Sequence, residues 1–286
     1  MKLGINTGLW EIKGIKLEDS IPAIKGYGFK YIDVFAVGSG NPTLLSNPEK
    51  LSISRLFQQK DLKASNMVCI PPGNISSTDQ SEREECLKYI KSCAQFQSML
   101  GGKQILLGSG GGQKTMSLSH ERAWINSSSF ITEACEYLYE LNMFLTLEFE
   151  PYIFLIINST YEMLKMIEEV NAPNLFANID IGHLAITREP PVQLKKLKNY
   201  ILHTHISDNG GEKHANAIIG SGCALIKESL YELLSLNLDI SCNEKGEVMV
   251  AALELGEMGQ KIEDLDSYVG ESINYVNKFV PELKYQ

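Results

Sequence analysis

Three stretches decide the fold: Phe144-Leu145-Thr146-Leu147-Glu148, Leu175-Phe176-Ala177-Asn178-Ile179-Asp180 and Ile201-Leu202-His203-Thr204-His205-Ile206. Each is a short apolar run, of strand rather than helix length, with a polar side chain at or near its C-terminal end. The same kind of run recurs at residues 3–6, 31–35, 66–70, 104–107 and 248–254. Amphipathic helical patterns lie between the runs, as at 82–100, 128–141, 160–170 and 226–236. Asp19-Ser20 ahead of Ile21-Pro22 reads as a helix start with proline in the first turn. Ser81 reads as the cap of Glu82-Arg83-Glu84-Glu85. Eight strands alternating with helices, with no linker or low-complexity break, predict one βα-repeating domain over residues 1–286. An open doubly wound sheet is the alternative, but no GxGxxG follows the first strand to serve a dinucleotide. The strand count favours a (β/α)8 TIM barrel.

The chain carries 26 Lys and Arg against 35 Asp and Glu, a net charge of −9. No dense basic run offsets that balance, so a phosphate backbone is repelled and nucleic acid is not an expected partner. The longest apolar burst, residues 153–157, is far too short to cross a bilayer. The opening MKLGINTGLW has neither the apolar stretch nor the cleavage site of a signal peptide. The expectation is a cytoplasmic protein with no membrane partner. Cys69, Cys86, Cys93, Cys135, Cys223 and Cys242 show no CxxC spacing and read as reduced thiols. Barrels of this size often pair through their helices, so a homo-oligomer is open, although nothing marks a particular face.

A barrel of this class places its active site at the C-terminal ends of the strands, so polar residues that end strands are the candidates. Glu148 ends the fifth run, Asp180 the sixth and Glu254 the eighth, and His205 sits near the end of the seventh. Three carboxylates buried at one rim without a cation would force at least one pKa strongly upward. A divalent ion removes that conflict, and three oxygens with one nitrogen suit a hard or borderline metal. One such ion is expected, with Mn²⁺ or Mg²⁺ the best match and Co²⁺ or Zn²⁺ as alternatives. Each acid taken alone is as readily a structural ion-pair partner. Their recurrence at the equivalent point of consecutive repeats is what favours a shared site. In Asp180-Ile181-Gly182-His183 the imidazole follows the acid by three residues, within reach of the same cavity. His203 and His205 alternate by two and face the same side of a strand, so one can ligate while the other packs deeper. His120 follows a serine-rich stretch and reads as solvated surface.

These motifs resemble the xylose isomerase-like TIM-barrel superfamily. That group includes sugar phosphate isomerases and epimerases, tagatose 3-epimerase-type enzymes, isomerases and dehydratases of inositol catabolism, and endonuclease IV. The similarity rests on Asp180-Ile181-Gly182-His183, His203-Thr204-His205-Ile206-Ser207-Asp208-Asn209 and Leu147-Glu148. Asn74-Ile75-Ser76-Ser77-Thr78-Asp79 and Gly220-Ser221-Gly222 extend it over nearly the whole chain. The resemblance implies that Glu148, Asp180, His205 and Glu254 hold the metal and that His183 contacts substrate oxygens. It also implies that Glu148 and Glu254 are catalytic, moving a proton off and onto carbon. A metal that polarises a carbonyl and its neighbouring hydroxyl stabilises the enediolate such a transfer requires. One carboxylate removes the α-proton and the other returns it on the opposite face.

The chain also departs from that pattern. Endonuclease IV carries extra histidines on earlier strands, whereas here the third strand ends in Val68-Cys69-Ile70-Pro71 and the fourth in Leu107-Gly108-Ser109. The tagatose 3-epimerase type has an arginine- and proline-bearing segment after the seventh-strand histidine. This chain has Gly210-Gly211-Glu212-Lys213-His214 there, so the resemblance does not carry ketohexose as the substrate, and His214 or Lys213 becomes a substrate-binding candidate. The run Gly108-Ser109-Gly110-Gly111-Gly112 before Lys114 could cradle an anion on backbone N–H groups or be a mobile glycine loop without one. Glu150 is a candidate supporting group beside the ligands, and Glu257 reads as solvated. The leading expectation is a metal-dependent isomerase or epimerase of a sugar, sugar phosphate or cyclitol. The alternatives are a metal-dependent dehydratase or lyase on a similar polyol, an endonuclease IV-like repair enzyme, and a non-catalytic barrel that binds sugar.

Overall fold

In a computed structural model, which describes residues 1–115, 118–257 and 260–283, the eight runs close into one parallel barrel in chain order. The strands are β1 (Lys2–Asn6), β2 (Tyr31–Phe35), β3 (Lys63–Cys69), β4 (Gln104–Leu107), β5 (Phe144–Leu147), β6 (Leu175–Asp180), β7 (Ile201–Ile206) and β8 (Val250–Leu253). The helices are α1 (Gly8–Ile12), α2 (Leu17–Gly26), α3 (Asn47–Gln59), α4 (Gln80–Met99), α5 (His120–Glu140), α6 (Thr160–Val170), α7 (Ile181–Thr187), α8 (Ile226–Ser235), α9 (Leu238–Glu244) and α10 (Leu265–Phe279). Closure of β8 on β1, with Leu3 opposite Ala251 and Ile5 opposite Leu253, rules out the open doubly wound sheet. No helix among the described residues is long and apolar enough to cross a membrane. All six cysteines are free.

Helix starts depart from the sequence expectation where a tertiary partner outweighs the local signal. α2 begins at Leu17, ahead of Asp19-Ser20, because the Leu17 amide donates to Ser39 Oγ at 2.9 Å. Pro22 therefore lies inside the helix, where its missing N–H leaves one helical bond unmade. α4 is capped by Asp79, which accepts from the Ser81 amide at 2.9 Å, so the serine is a helix residue and the acid its cap. α5 starts at His120 rather than at 128, with Ser119 Oγ accepting from the Arg122 amide at 3.2 Å. The serines that obscured this start lie within the helix, and buried Ser127 donates to the Gly111 carbonyl. His120 is exposed in the first turn, as expected.

The interior of this barrel is unusually polar towards its C-terminal end. (β/α)8 interiors are mostly filled by Val, Ile and Leu. Here Asn66, Thr146, Asn178 and His203 are fully buried inside, and Asp33 with them. Because side chains alternate by two, Thr146, Asn178 and His203 form the level directly beneath Glu148, Asp180 and His205. Strand register aligns the upper level, pairing Asp180 with His205 and His205 with Ala252. A layer of hydrogen-bonding groups thus underlies the strand ends.

Two loops complete the face. Gly110, Gly111 and Gly112 all have positive φ, as does Ser109. They carry the 155–157 segment, whose amides at Ile156 and Ile157 donate to Gly112 and Gly110. Gln113 continues the contact as an antiparallel bridge to Leu155. The loop is pinned to that segment through the carbonyls of Gly110 and Gly112. After β7, Asp208 accepts from the amides of Gly220, Gly222, Ala224 and Asn209 at 2.8–3.1 Å, which folds Gly220-Ser221-Gly222 back over the strand end.

Gly182 is where the fold is tightest beside the site: a Cβ there would lie 2.2 Å from Ser207 Oγ and 2.8 Å from Asn209 Nδ2. Gly182→Ala should cost about 1–3 kcal/mol by overpacking. Urea unfolding should show a lower midpoint with an unchanged m-value.

Candidate functional site

The Asp180-Ile181-Gly182-His183 motif has a local structural logic. α7 follows β6 without a connecting loop, so Asp180 is at once a strand end and a helix N-cap. Its Oδ1 accepts from the His183 amide at 3.0 Å and from Ser207 Oγ at 2.5 Å. Both bonds fall on one oxygen, and Oδ2 is left buried and without a hydrogen-bond partner. The absent side chain at Gly182 is what lets Ser207 approach.

His205 is fixed from behind. Its Nε2 lies 3.1 Å from Asp33 Oδ2, and His203 Nε2 lies 2.7 Å from the same oxygen. Asp33 Oδ1 accepts from Ser65 Oγ at 2.7 Å. With Nε2 committed to a carboxylate, Nδ1 points into the cavity, 3.1 Å from Glu148 Oε1 and 3.2 Å from Glu254 Oε2. It makes no aligned hydrogen bond with either. Asn178 donates to Glu148 from the level below, and Asn6 Nδ2 donates to Glu254 Oε1 at 3.1 Å. One ligand atom each from Glu148, Asp180, His205 and Glu254 lies within 4.8 Å of all the others. The structure therefore brings together all four residues read as a metal set. An imidazole nitrogen turned towards three carboxylates, one with an orphaned buried oxygen, is a donor set that could hold a divalent ion.

His183 joins the group from the side. Its Nδ1 is held by the Phe149 carbonyl at 2.7 Å, and its Nε2 stands 3.8 Å from Glu150 and 4.0 Å from Asp180. His214 packs edge-on against His183 with ring centroids 4.6 Å apart. The His214 amide donates to the Tyr152 hydroxyl at 2.9 Å, and its Nδ1 lies 3.1 Å from Glu257. Glu257, expected to be solvated, is 39% exposed and paired to that imidazole. Lys213 is exposed and lies outside the cavity lining. His203 sits one level below the site, as the alternation required.

Asp33 was missed by the sequence reading. It stands mid-strand in Tyr31-Ile32-Asp33-Val34-Phe35 rather than at a strand end. The available signal was a lone carboxylate in an otherwise apolar run, which a buried strand tolerates only with a partner. The cavity above these groups holds about 260 Å³, near the lower end of the roughly 300–1,000 Å³ common for small-ligand sites. Its polar lining is Glu148, Glu150, Glu254, Glu257, His214, Asn6 and Asn216, and its apolar lining includes Ile12, Phe35, Val68, Ile70 and Leu255.

The electrostatics follow from crowding. Burial pushes Glu148 up to about 7, and the charges on Glu254 and Asp180 add to the rise against the pull of His205. Burial and Glu148 push Glu150 up to about 8. Burial would raise Asp180 too, but the imidazoles of His183, His214 and His205 bring it down to about 2. Burial lowers His183 to about 4. His205 is raised despite its burial, by Glu254, Glu148 and Asp33. His214 is raised to about 10, chiefly by Glu257 against burial.

With this geometry in place, comparison with known proteins gives the class. The family described as xylose isomerase-like TIM barrel matches residues 21–242, and the chain belongs to that family. It is 25% identical over 174 residues to fructoselysine 3-epimerase of Escherichia coli O157:H7, the match covering 60% of this chain and 62% of the relative. The chain thus spans about three fifths of that relative's length. A solved D-tagatose 3-epimerase-like protein superposes with a TM-score of 0.80 at 18% identity, covering 99% of this chain and 98% of its own. The IolI protein, solved with a zinc atom bound, gives 0.78 at 16% identity, covering 98% of this chain and 99% of its own. At these identities the two structures establish the shared fold.

The titrating groups fix how stability changes with pH. Glu148, Glu150, His205 and His214 all hold protons more tightly when folded, so each stabilises below its unfolded pKa and loses that contribution as pH rises through the folded value. His183, whose pKa is lowered, acts oppositely but only between about 4 and 6.5. Between pH 6.5 and 8 the metal-free protein should therefore lose stability as pH rises, by up to about 1.4 kcal/mol per pH unit for each proton concerned. Thermal melts across that window check this, and Glu148→Gln should flatten the slope.

Proposed function

We propose that the protein is a divalent-metal-dependent epimerase or isomerase of a small keto-sugar or related polyol. The observation that carries this reading is the convergence of Glu148, Asp180, His205 and Glu254 on one point at the floor of an open cavity. Family membership and the named activity of the fructoselysine relative support it. A bound divalent cation there would polarise a carbonyl and disperse the negative charge that develops as a neighbouring C–H is ionised.

The chain's own groups supply the rest. Glu148 and Glu254 reach the site from β5 and β8, each steadied by an amide donor, Asn178 or Asn6. One of them takes the α-proton and the C–H electron pair moves into the adjacent carbonyl to give an enediolate. Return of a proton to the same carbon on the opposite face inverts that centre, and return to the neighbouring carbon moves the carbonyl. His183 Nε2 and His214 Nε2, both buried and unpaired, face the same space and are placed to bond substrate oxygens.

The decisive experiment follows candidate keto-sugars in D₂O by NMR, with the metal-loaded protein. Deuterium uptake at the reacting carbon, or formation of an epimer or isomer, should fall at least about 10³-fold in Glu148→Gln and in Glu254→Gln. Full activity in both variants overturns the assignment, and water loss without epimer or isomer identifies a dehydratase instead. Chelation should abolish turnover, and Mn²⁺, Mg²⁺, Co²⁺ or Zn²⁺ should restore it to differing extents.

Asp33 offers a second check, because a carboxylate behind a ligating histidine orients the ring and raises its basicity. Asp33→Asn should weaken divalent-ion binding by about 10–100-fold in calorimetry. Binding at the original strength would show that Asp33 serves the barrel interior alone.

A further inference from the structure

The cavity wall is chemically one-sided. Four carboxylates line it, Glu148, Glu150, Glu254 and Glu257, and Asp180 lies just below. Among the described lining residues neither lysine nor arginine occurs, and the only group able to carry positive charge is His214, which Glu257 already pairs. Met258 and Gly259, which follow Glu257 in sequence, bear no charge. The basic side chains of the surrounding loops are engaged elsewhere: Lys114 with the Ile153 carbonyl, Lys13 with that of Ile262 and Arg83 with that of Ser77. Lys213 is exposed beside Glu212. Of the glycine-rich loop only Gly108 lines the cavity, and its amide is donated to the Cys69 carbonyl at 3.0 Å.

Two of the lining acids have no part in the metal set. The Glu150 carboxylate accepts no hydrogen bond among the described residues, and His183 Nε2 stands 3.8 Å from it. Glu257 stands on the rim. A divalent ion held by Glu148, Asp180 and Glu254 leaves one of their three charges unbalanced, so positive charge is not in surplus for a distant anion. A phosphate on the substrate would give up its water to face carboxylates, and like charges juxtaposed in a semi-enclosed site are how a wrong ligand is rejected.

We infer that this site takes unphosphorylated carbohydrates, neutral or bearing a basic nitrogen, and rejects phosphorylated ones, with Glu150 and Glu257 forming the subsite that reads the part of the substrate away from the metal. The inference rests on the sugar-epimerase reading given above. Glu150 and Glu257 accept hydrogen bonds from substrate hydroxyls or ammonium, and the apolar wall of Phe35, Val68 and Ile70 covers the opposite face of the carbon chain.

The test measures binding to the metal-loaded protein by calorimetry, independently of turnover, for D-fructose, 1-amino-1-deoxy-D-fructose and D-fructose 6-phosphate. The amino sugar should bind at least as tightly as fructose, and the phosphate about tenfold more weakly or worse. The phosphate's disadvantage should shrink as salt is added. Glu257→Gln, a rim substitution that leaves the barrel interior intact, should narrow the gap between amino sugar and phosphate. A phosphate that binds as tightly as fructose, or a Glu257→Gln protein with an unchanged gap, overturns the inference. Turnover of all three probes in that contrary order would leave the epimerase reading standing. The expected binding order without any epimer or isomer formed would keep this inference and remove that reading.

Discussion

His205 is held between carboxylates on both sides, and the upper half of the barrel is organised around that arrangement. Asp33 grips its Nε2 from across the interior, and Glu148 and Glu254 face its Nδ1 from the cavity. With Nε2 committed to Asp33, Nδ1 meets the carboxylates of Glu148 and Glu254, whose charges raise the ring's hold on a proton in the metal-free protein. The arrangement is poor as a hydrogen-bond network and good as a socket for a cation. The same crowding raises Glu148 while histidine charges hold Asp180 down, so neighbouring acids are pushed apart in proton affinity by their surroundings.

That socket requires the polar floor. A carboxylate in a low-dielectric interior is tolerated only when paired, and each site residue is served from beneath or beside. Asn178 reaches Glu148, Asn6 reaches Glu254, Ser207 reaches Asp180 and Asp33 reaches His205. Asp33 is itself held below the usual carboxylate range: burial would raise it, but the imidazoles of His203 and His205 more than compensate. The Thr146, Asn178 and His203 level thus replaces the aliphatic filling of an ordinary barrel because the level above is charged. Hydrophobic packing is displaced to the helices outside, where Leu9, Ile21, Phe57, Phe96 and Phe130 are buried.

How much of this could be read from the chain depends on where each signal lies. The strands were legible because a strand buried on both faces must be an apolar run, and the barrel followed from their number. Glu148, Asp180, His205 and Glu254 were legible because each interrupts such a run at its end, where the fold concentrates chemistry. Asp33 interrupts its run in the middle, and its partners lie on a strand about 170 residues away, so the one local signal, a lone carboxylate in an apolar run, does not say what it pairs with. The starts of α2, α4 and α5 were misplaced for a related reason. Serines are common at caps, and at α2 the group that satisfies the first amide, Ser39, comes from the next repeat. The glycine-rich loop looked like a binding element because its composition permits many backbones. Which of them it adopts is set by the 155–157 segment, a partner about 45 residues further along.

The same loops build the rim above the converging groups. The rim above the four converging residues is made by the segments after β5 and β7, which meet where the His214 amide bonds the Tyr152 hydroxyl. Tyr152 in turn stacks on Phe154, and the glycine loop after β4 carries that segment from below. His214 therefore owes its place to three loops from three repeats, whereas His183 owes its own to the helix start that follows β6 directly. A residue positioned by a strand end is fixed by the fold, while one positioned by loops moves with every change in them. The strand-end set in this chain coincides with the pattern its resemblance implies. It departs from that pattern after β7, where Glu212-Lys213-His214 stands in place of an arginine-bearing segment. The converging carboxylates and imidazole are thus tied to the barrel strands, and the rim above them to loops.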